Sequence, residues 1–136
     1  MASISQTRLT NTLSMTASLD NMNFLKPLPE GNSVCIESFV TGAGSTSVEV
    51  FAKIIGEDLI TGERYIAATS FLTFVALPED RDRFVMPKIV PETEEEKFIC
   101  AGYEQRKAAR MLQRQLDKEL QTQLTTHEHW NQERLG

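Results

Sequence analysis

The sequence predicts an α+β fold: a four-stranded antiparallel sheet followed by one long, polar helix. Three observations carry this. Leu13, Met15, Ala17 and Leu19 alternate with polar residues at period two, the mark of a half-buried strand. Three further strand-like runs follow before Leu77, joined by short turns, which implies an antiparallel meander or a near relative. From Thr93 the pattern becomes helical and stays so to about Thr125.

The segment ahead of the first strand is small and polar. Ile4 and Leu9 are its only large apolar residues after Met1, too few to hold a helix alone. It is expected to be frayed, or to be the remnant of a longer element. Along the first strand the apolar phase slips by one residue, to Met22 and Phe24. Such a slip flips the buried face, so a β-bulge is expected near Asp20 and Asn21. Pro27, Pro29 and Glu30-Gly31-Asn32 close the strand.

The second strand, Ser33 to Thr41, puts Val34, Ile36 and Val40 on one face and Cys35, Glu37 and Phe39 on the other. Gly42-Ala43-Gly44 breaks it. The third strand, Ser45 to Glu57, lines Val48, Val50, Ala52 and Ile54 along one side. After the turn Asp58 to Glu63 comes the fourth and most apolar strand, Arg64 to Leu77. It alternates little, which predicts a central position covered on both faces. No complete helix precedes the sheet, so Val50, Ile54, Leu72 and Phe74 are expected to be exposed in a monomer. An apolar patch of that kind predicts an obligate oligomer.

Thr93-Glu94-Glu95-Glu96 has the spacing of a capping box, and its acids suit the positive end of a helix dipole. Leu112, Leu116, Leu120 and Leu124 recur every four residues along an otherwise polar helix. That stripe suits a coiled-coil seam or docking on a neighbouring subunit equally well.

Composition narrows the function. The 136 residues are 40% hydrophobic and 24% charged, as in soluble globular domains, and leave room for one domain. Fourteen Lys and Arg face nineteen Asp and Glu, a formal charge of −5. An acidic chain lacks the electrostatic footprint of a nucleic-acid binder. No run is apolar enough to span a membrane, and no secretory signal is visible. Cys35 and Cys100 form no zinc or redox motif, and a reducing cytoplasm is expected. Cys35 has no base placed near it by the sequence, so a structural role is the expectation. His127-Glu128-His129 spaces its histidines two apart, which puts them on different helix faces.

One set of residues is more specific. Ser14 to Pro27 contains Thr16-Ala17-Ser18-Leu19-Asp20 with Phe24 four residues on. Gly44-Ser45-Thr46-Ser47-Val48-Glu49-Val50, Leu59 to Arg64, Ala67 to Leu77 and Pro87 to Lys97 follow. In this order and spacing the segments resemble the hotdog-fold acyl-CoA thioesterases, over most of residues 2–110. The resemblance implies a curved antiparallel sheet wrapping a central helix, here incomplete, plus the long C-terminal helix. It divides the chain into a partial hotdog domain, residues 1–91, and a helical tail, residues 92–136. It implies hydrolysis of acyl-CoA at sites between two hotdog units, with coenzyme A entering as part of the substrate and no separate cofactor or metal. The implied assembly is a homo-oligomer built from hotdog dimers. By the family's pattern, the catalytic carboxylate of the helix and a Gly-Gly turn would fall ahead of Met1, so no catalytic residue is assigned.

Thioester hydrolysis needs an activated water and N–H donors for the oxyanion. The residues offered here are on the binding side. Gly44, Ser45, Thr46 and Ser47 are the candidates for coenzyme A: a glycine admits close backbone approach and hydroxyls can bond phosphate or pantetheine. The family often has Arg where Ser45 stands, so one phosphate contact is absent. The plain alternative is a hairpin turn of small residues. Asp20 and Asn23, beside the expected bulge, either shape the substrate channel or bond local backbone. Lys26 and Lys88 could meet phosphates, or simply be solvated. The rival to a thioesterase is an inactive hotdog unit that binds coenzyme A or oligomerises. A hotdog dehydratase fits less well, because the Pro91-Glu92-Thr93-Glu94 run and the long tail suit the thioesterase branch.

Overall fold

The computed structural model describes residues 1–127. The chain divides into two compact units, Met1–Ala101 and Gly102–Gly136. The first contains α1 (Ala2–Thr10), β1 (Leu13–Phe24), β2 (Ser33–Ala43), β3 (Ser47–Glu57), β4 (Arg64–Leu77) and α2 (Glu94–Ala101). The second contains α3 (Tyr103–Gln123).

The strands form one antiparallel sheet in the order β1-β4-β3-β2. β2, β3 and β4 make a meander, as short turns require. β1 instead lies at the far edge beside β4, so its connection to β2 passes from one edge of the sheet to the other. β4 is interior, and Ala67, Ala68, Phe74 and Ala76 are buried, in keeping with its near-continuous apolar run.

The segment before β1 is an ordered helix, and its inward face is not the one its apolar residues suggest. Ala2, Gln6 and Thr10 are buried, at four-residue spacing, while Ile4 is 47% exposed. The Gln6 amide Nε2 donates to Thr10 Oγ1 at 2.6 Å, and the Thr10 hydroxyl donates to the Gln6 carbonyl at 3.2 Å. Paired in this way, the polar groups can be buried without the cost of unmet donors. Ser5 adds a contact to β2, its Oγ lying 2.7 Å from Ser38 Oγ. Asn11, at φ 53°, ends the helix in the left-handed conformation, its N–H bonded to the Thr7 carbonyl at 2.7 Å.

This docking corrects the expected exposure of the sheet. Ala2 packs with Val48, Val50 and Phe74, and Leu9, Val40, Leu72 and Met86 surround them. Val50 is 0% and Phe74 4% exposed, while Leu72 and Ile54 are half-buried. The inward face of α1, formed by Ala2, Gln6 and Thr10, lies against the sheet, and Ala2 meets the two larger side chains directly. Each such burial is worth about 1.5–3 kcal/mol.

The opposite face carries an aromatic row, Phe39, Phe51 and Phe71, with ring centroids 5.4 and 5.1 Å apart. The three are register partners across β2, β3 and β4. On the same face Lys53 bonds Glu95 at 2.7 Å and Glu37 at 3.2 Å, tying α2 to the sheet. The Glu95 hydrogen bond, opposed by burial and aided by Glu37, raises the Lys53 pKa, so the group stays an ammonium and is not a base.

The capping box is formed. Glu96 N–H donates to Thr93 Oγ1 at 3.1 Å, and the Glu96 carboxylate accepts from the N–H groups of Thr93 and Glu92. The single helix expected from Thr93 to Thr125 is two, interrupted at Gly102, whose φ of −88° and ψ of 2° leave the helical region. Within α3, Leu112, Leu116 and Leu120 are exposed, and Leu124 falls just beyond the last turn with an extended backbone. Of the His127-Glu128-His129 triplet, Glu128 and His129 lie outside the described residues.

Candidate functional site

The turn between β2 and β3 is built by Gly44 and the strand ends that flank it. Gly44 N–H donates to the Ser47 carbonyl at 2.8 Å. A Cβ on Gly44 would stand 2.8 Å from Ser47 Oγ, so only glycine leaves that hydroxyl undisturbed. The Thr46 carbonyl accepts from Ala76 N–H at 2.7 Å, which pins the turn against β4. Ser45 and Thr46 are exposed at the tip, and Gly44 and Ser47 are half-buried. The turn therefore offers two accessible hydroxyls on a backbone held in place.

Asp20 and Asn23 flank a true bulge. The β1–β4 register shifts between them, and Asn21 adopts φ 48°. A second irregularity, between Thr16 and Ser18, has no signal in the apolar pattern. Asp20 Oδ2 accepts from Ser18 Oγ at 3.1 Å. Asp20 lies opposite Phe71 and Asn23 opposite Thr69, on the face away from α1.

The structure does not gather these residues around one point within the chain. Ser47 is opposite Val75, which is four residues along β4 from Phe71 and six from Thr69. At about 3.3 Å per residue the offsets are roughly 13 and 20 Å. The turn and the bulge are separate features of the sheet.

A third feature was not legible in the sequence. Phe24, Leu25, Lys26, Pro27 and Leu28, with Ile54, Ala67 and Ala68, line an open pocket of about 410 Å³. The segment is held by one acceptor: the Ala67 carbonyl takes the N–H of Leu25 at 2.8 Å and of Lys26 at 3.1 Å. These bonds continue the β1–β4 pairing just past Phe24, the partner of Ala68. The alanines make the floor low, and Phe24, Leu28 and Ile54 make the walls apolar. Among the described residues, Lys26 is the only charged one in the lining. Volume and lining suit the uncharged part of a small organic ligand. Of the other lysine, Lys88, the structure shows an exposed side chain on the stretch after β4.

Other polar groups are buried away from this cavity. Glu49 is 1% exposed and accepts from Thr41 Oγ1 at 2.7 Å. The hydroxyls of Ser70 and Thr73 are buried with no hydrogen-bond partner. Cys35 is exposed on β2, opposite Ile55. Among the described residues no group of three or more His, Cys, Asp or Glu side chains is placed to hold a metal ion. Among them also, no helix is long and apolar enough to cross a membrane.

Residues 2–63 match the family model described as the thioesterase superfamily. The uncharacterized acyl-CoA thioester hydrolase YkhA of Bacillus subtilis is 45% identical over 130 residues, covering 96% of this chain and 76% of that protein. The crystal structure of an acyl-CoA hydrolase from Bacillus cereus superposes with a TM-score of 0.85 at 43% identity, over 91% of this chain and 76% of that one. An apo-hexameric acyl-CoA thioesterase superposes with a TM-score of 0.75 at 35% identity, over 82% and 72% of the two chains.

Proposed function

This chain belongs to the acyl-CoA thioester hydrolases of the thioesterase superfamily, and from that premise we propose that it hydrolyses acyl-CoA to a carboxylate and free coenzyme A. The observation that carries the reading is likeness to an acyl-CoA hydrolase in both sequence and hotdog fold over nine-tenths of the chain. Water is added across the thioester: the C–S bond breaks, the acyl carbon gains the hydroxyl, and the sulfur leaves as the thiol. Coenzyme A enters as part of the substrate.

We assign contacts with coenzyme A to Gly44, Ser45, Thr46 and Ser47. Asp20 and Asn23 are assigned to the wall of the substrate channel. The exposed tip hydroxyls and the close backbone approach at Gly44 support the first assignment. The bulge supports the second, because the β1–β4 register shifts between these two residues and interrupts the ladder where they stand. A homo-oligomer is proposed, supported by the large apolar residues exposed on the edge strands: Leu13, Met15, Leu19 and Phe24 on β1, and Val34 and Ile36 on β2. A cytoplasmic location is proposed in keeping with two cysteines that form no disulfide.

The test is a thiol-release assay on the purified chain with acyl-CoA esters of graded length. Turnover linear in enzyme concentration is expected. A flat response from a chain that still binds coenzyme A would replace the hydrolase reading with that of a binding module.

A further inference from the structure

We propose that α3 is a self-association surface: its leucine ridge packs against the same ridge of a second copy of this chain, with the two helices antiparallel. The inference is independent of the acyl-CoA reading. Residues four apart on a helix form a continuous ridge. Along α3, Ala108, Leu112, Leu116 and Leu120 make one such ridge. Arg106, Arg110, Arg114 and Lys118 make another, two residues out of step and so on the opposite side. Leu112, Leu116 and Leu120 are 60%, 50% and 57% exposed. Among the described residues of α3, burial is confined to Tyr103. Three leucines in line and open to water mark an interaction surface.

The pattern around the leucines says what fits them. An anionic lipid surface is disfavoured, because the basic ridge is turned away from the leucines while exposed Asp117 and Glu119 stand in the rows on either side of them. A second α3 fits in both size and charge. A strict four-residue ridge suits one crossing contact and not the 3.5-residue seam of a long coiled coil. With a two-fold axis beside Arg114, antiparallel helices set Leu112 against Leu116 and Leu120 against Ala108, a large side chain against a small one. The same arrangement carries Lys107 of each helix toward the acidic end of the other, where Asp117 and Glu119 stand. Parallel helices would bring those carboxylates together instead. The contact is isologous: both copies use the same patch, and the pair closes on itself.

The test uses the full chain, by sedimentation equilibrium and disulfide cross-linking. Leu116→Glu is expected to lower the mass of the assembly about twofold, as loss of a two-fold contact requires. Arg114→Glu, on the opposite ridge, should leave the mass as in the wild type. For the direction, Leu112→Cys and Leu116→Cys are each made in a chain that also carries Cys35→Ser and Cys100→Ser. A mixture of the two variants is expected to cross-link under mild oxidation several-fold more than either variant alone. An unchanged mass for Leu116→Glu, or an equal fall for Arg114→Glu, overturns the contact. Cross-linking of each variant alone, with no gain in the mixture, overturns the antiparallel direction. Sedimentation with phosphatidylserine vesicles that Leu116→Glu abolishes without a change of mass also overturns the proposal, in favour of a lipid surface.

Discussion

The Tyr65 ring crowds Gly56, its register partner across β3 and β4, so closely that a Cβ on residue 56 would stand 2.4 Å from it. The glycine is required here by close approach and not by backbone conformation. Gly56→Ala forces the ring to move, and with it the bond to Asn32. A loss of about 1–3 kcal/mol is expected, read as a fall in the denaturation midpoint at constant m-value. Unchanged stability would show that the ring relocates freely.

The burial of α1 predicts an inversion of hydrophobic expectation. Gln6→Ala removes a fully buried side chain and leaves a cavity against the sheet, at about 2 kcal/mol. Ile4→Ser changes an exposed side chain and should fall within about 0.5 kcal/mol of the wild type. Chemical denaturation of the two variants checks the order; if Ile4→Ser proves the more damaging, α1 docks by its other face.

At the bulge, Asn21 holds φ 48°, where a β-branched residue is strained. Asn21→Val is expected to cost about 1–2 kcal/mol, and Asn21→Gly should be neutral. Equal stabilities for the two would mean that β1 runs through the bulge with ordinary backbone angles. The comparison needs only thermal melts.

The Lys53 clamp has a pH signature. Its folded-state pKa is raised, first by the Glu95 hydrogen bond, so its contribution is full below the unfolded value of 10.5 and is lost as pH rises through the higher folded value. Stability of the wild type should therefore fall in the alkaline range above that point. Glu95→Gln should flatten that fall. Melting temperatures across the alkaline range decide it; identical slopes would mean that the clamp contributes nothing.

For the turn, Ser45→Ala and Thr46→Ala should each raise KM for acyl-CoA by about threefold, at roughly 0.5–1.5 kcal/mol per neutral hydrogen bond. With kcat unchanged, this is the pattern of lost uniform binding. A fall in kcat at constant KM would place the turn in the chemical step instead.

Much of the local structure was legible in the sequence. Period two marked β1 from Leu13 to Phe24, and the phase slip located the bulge at Asp20. Thr93 and Glu96 announced the start of α2, and the scarcity of alternation in β4 marked an interior strand. Each of these signals is carried by near neighbours in the chain. The Gly102 break escaped the same reading, because a lone glycine is tolerated in a helical pattern. The candidate site was legible only in part. Gly44 to Ser47 reads as a turn from composition, but nothing in it says that Ala76 pins it from β4.

The sequence by itself determined which residues become strands, where the first strand buckles and which family the ordered segments resemble. Only the tertiary structure decided the rest. It placed β1 beside β4, turned Gln6 inward in preference to Ile4, and tied Leu25 and Lys26 to the Ala67 carbonyl. The reason is physical. Periodicity reports which side chains share a face, whereas these outcomes depend on which faces meet. A buried glutamine is tolerable only once Thr10 is beside it.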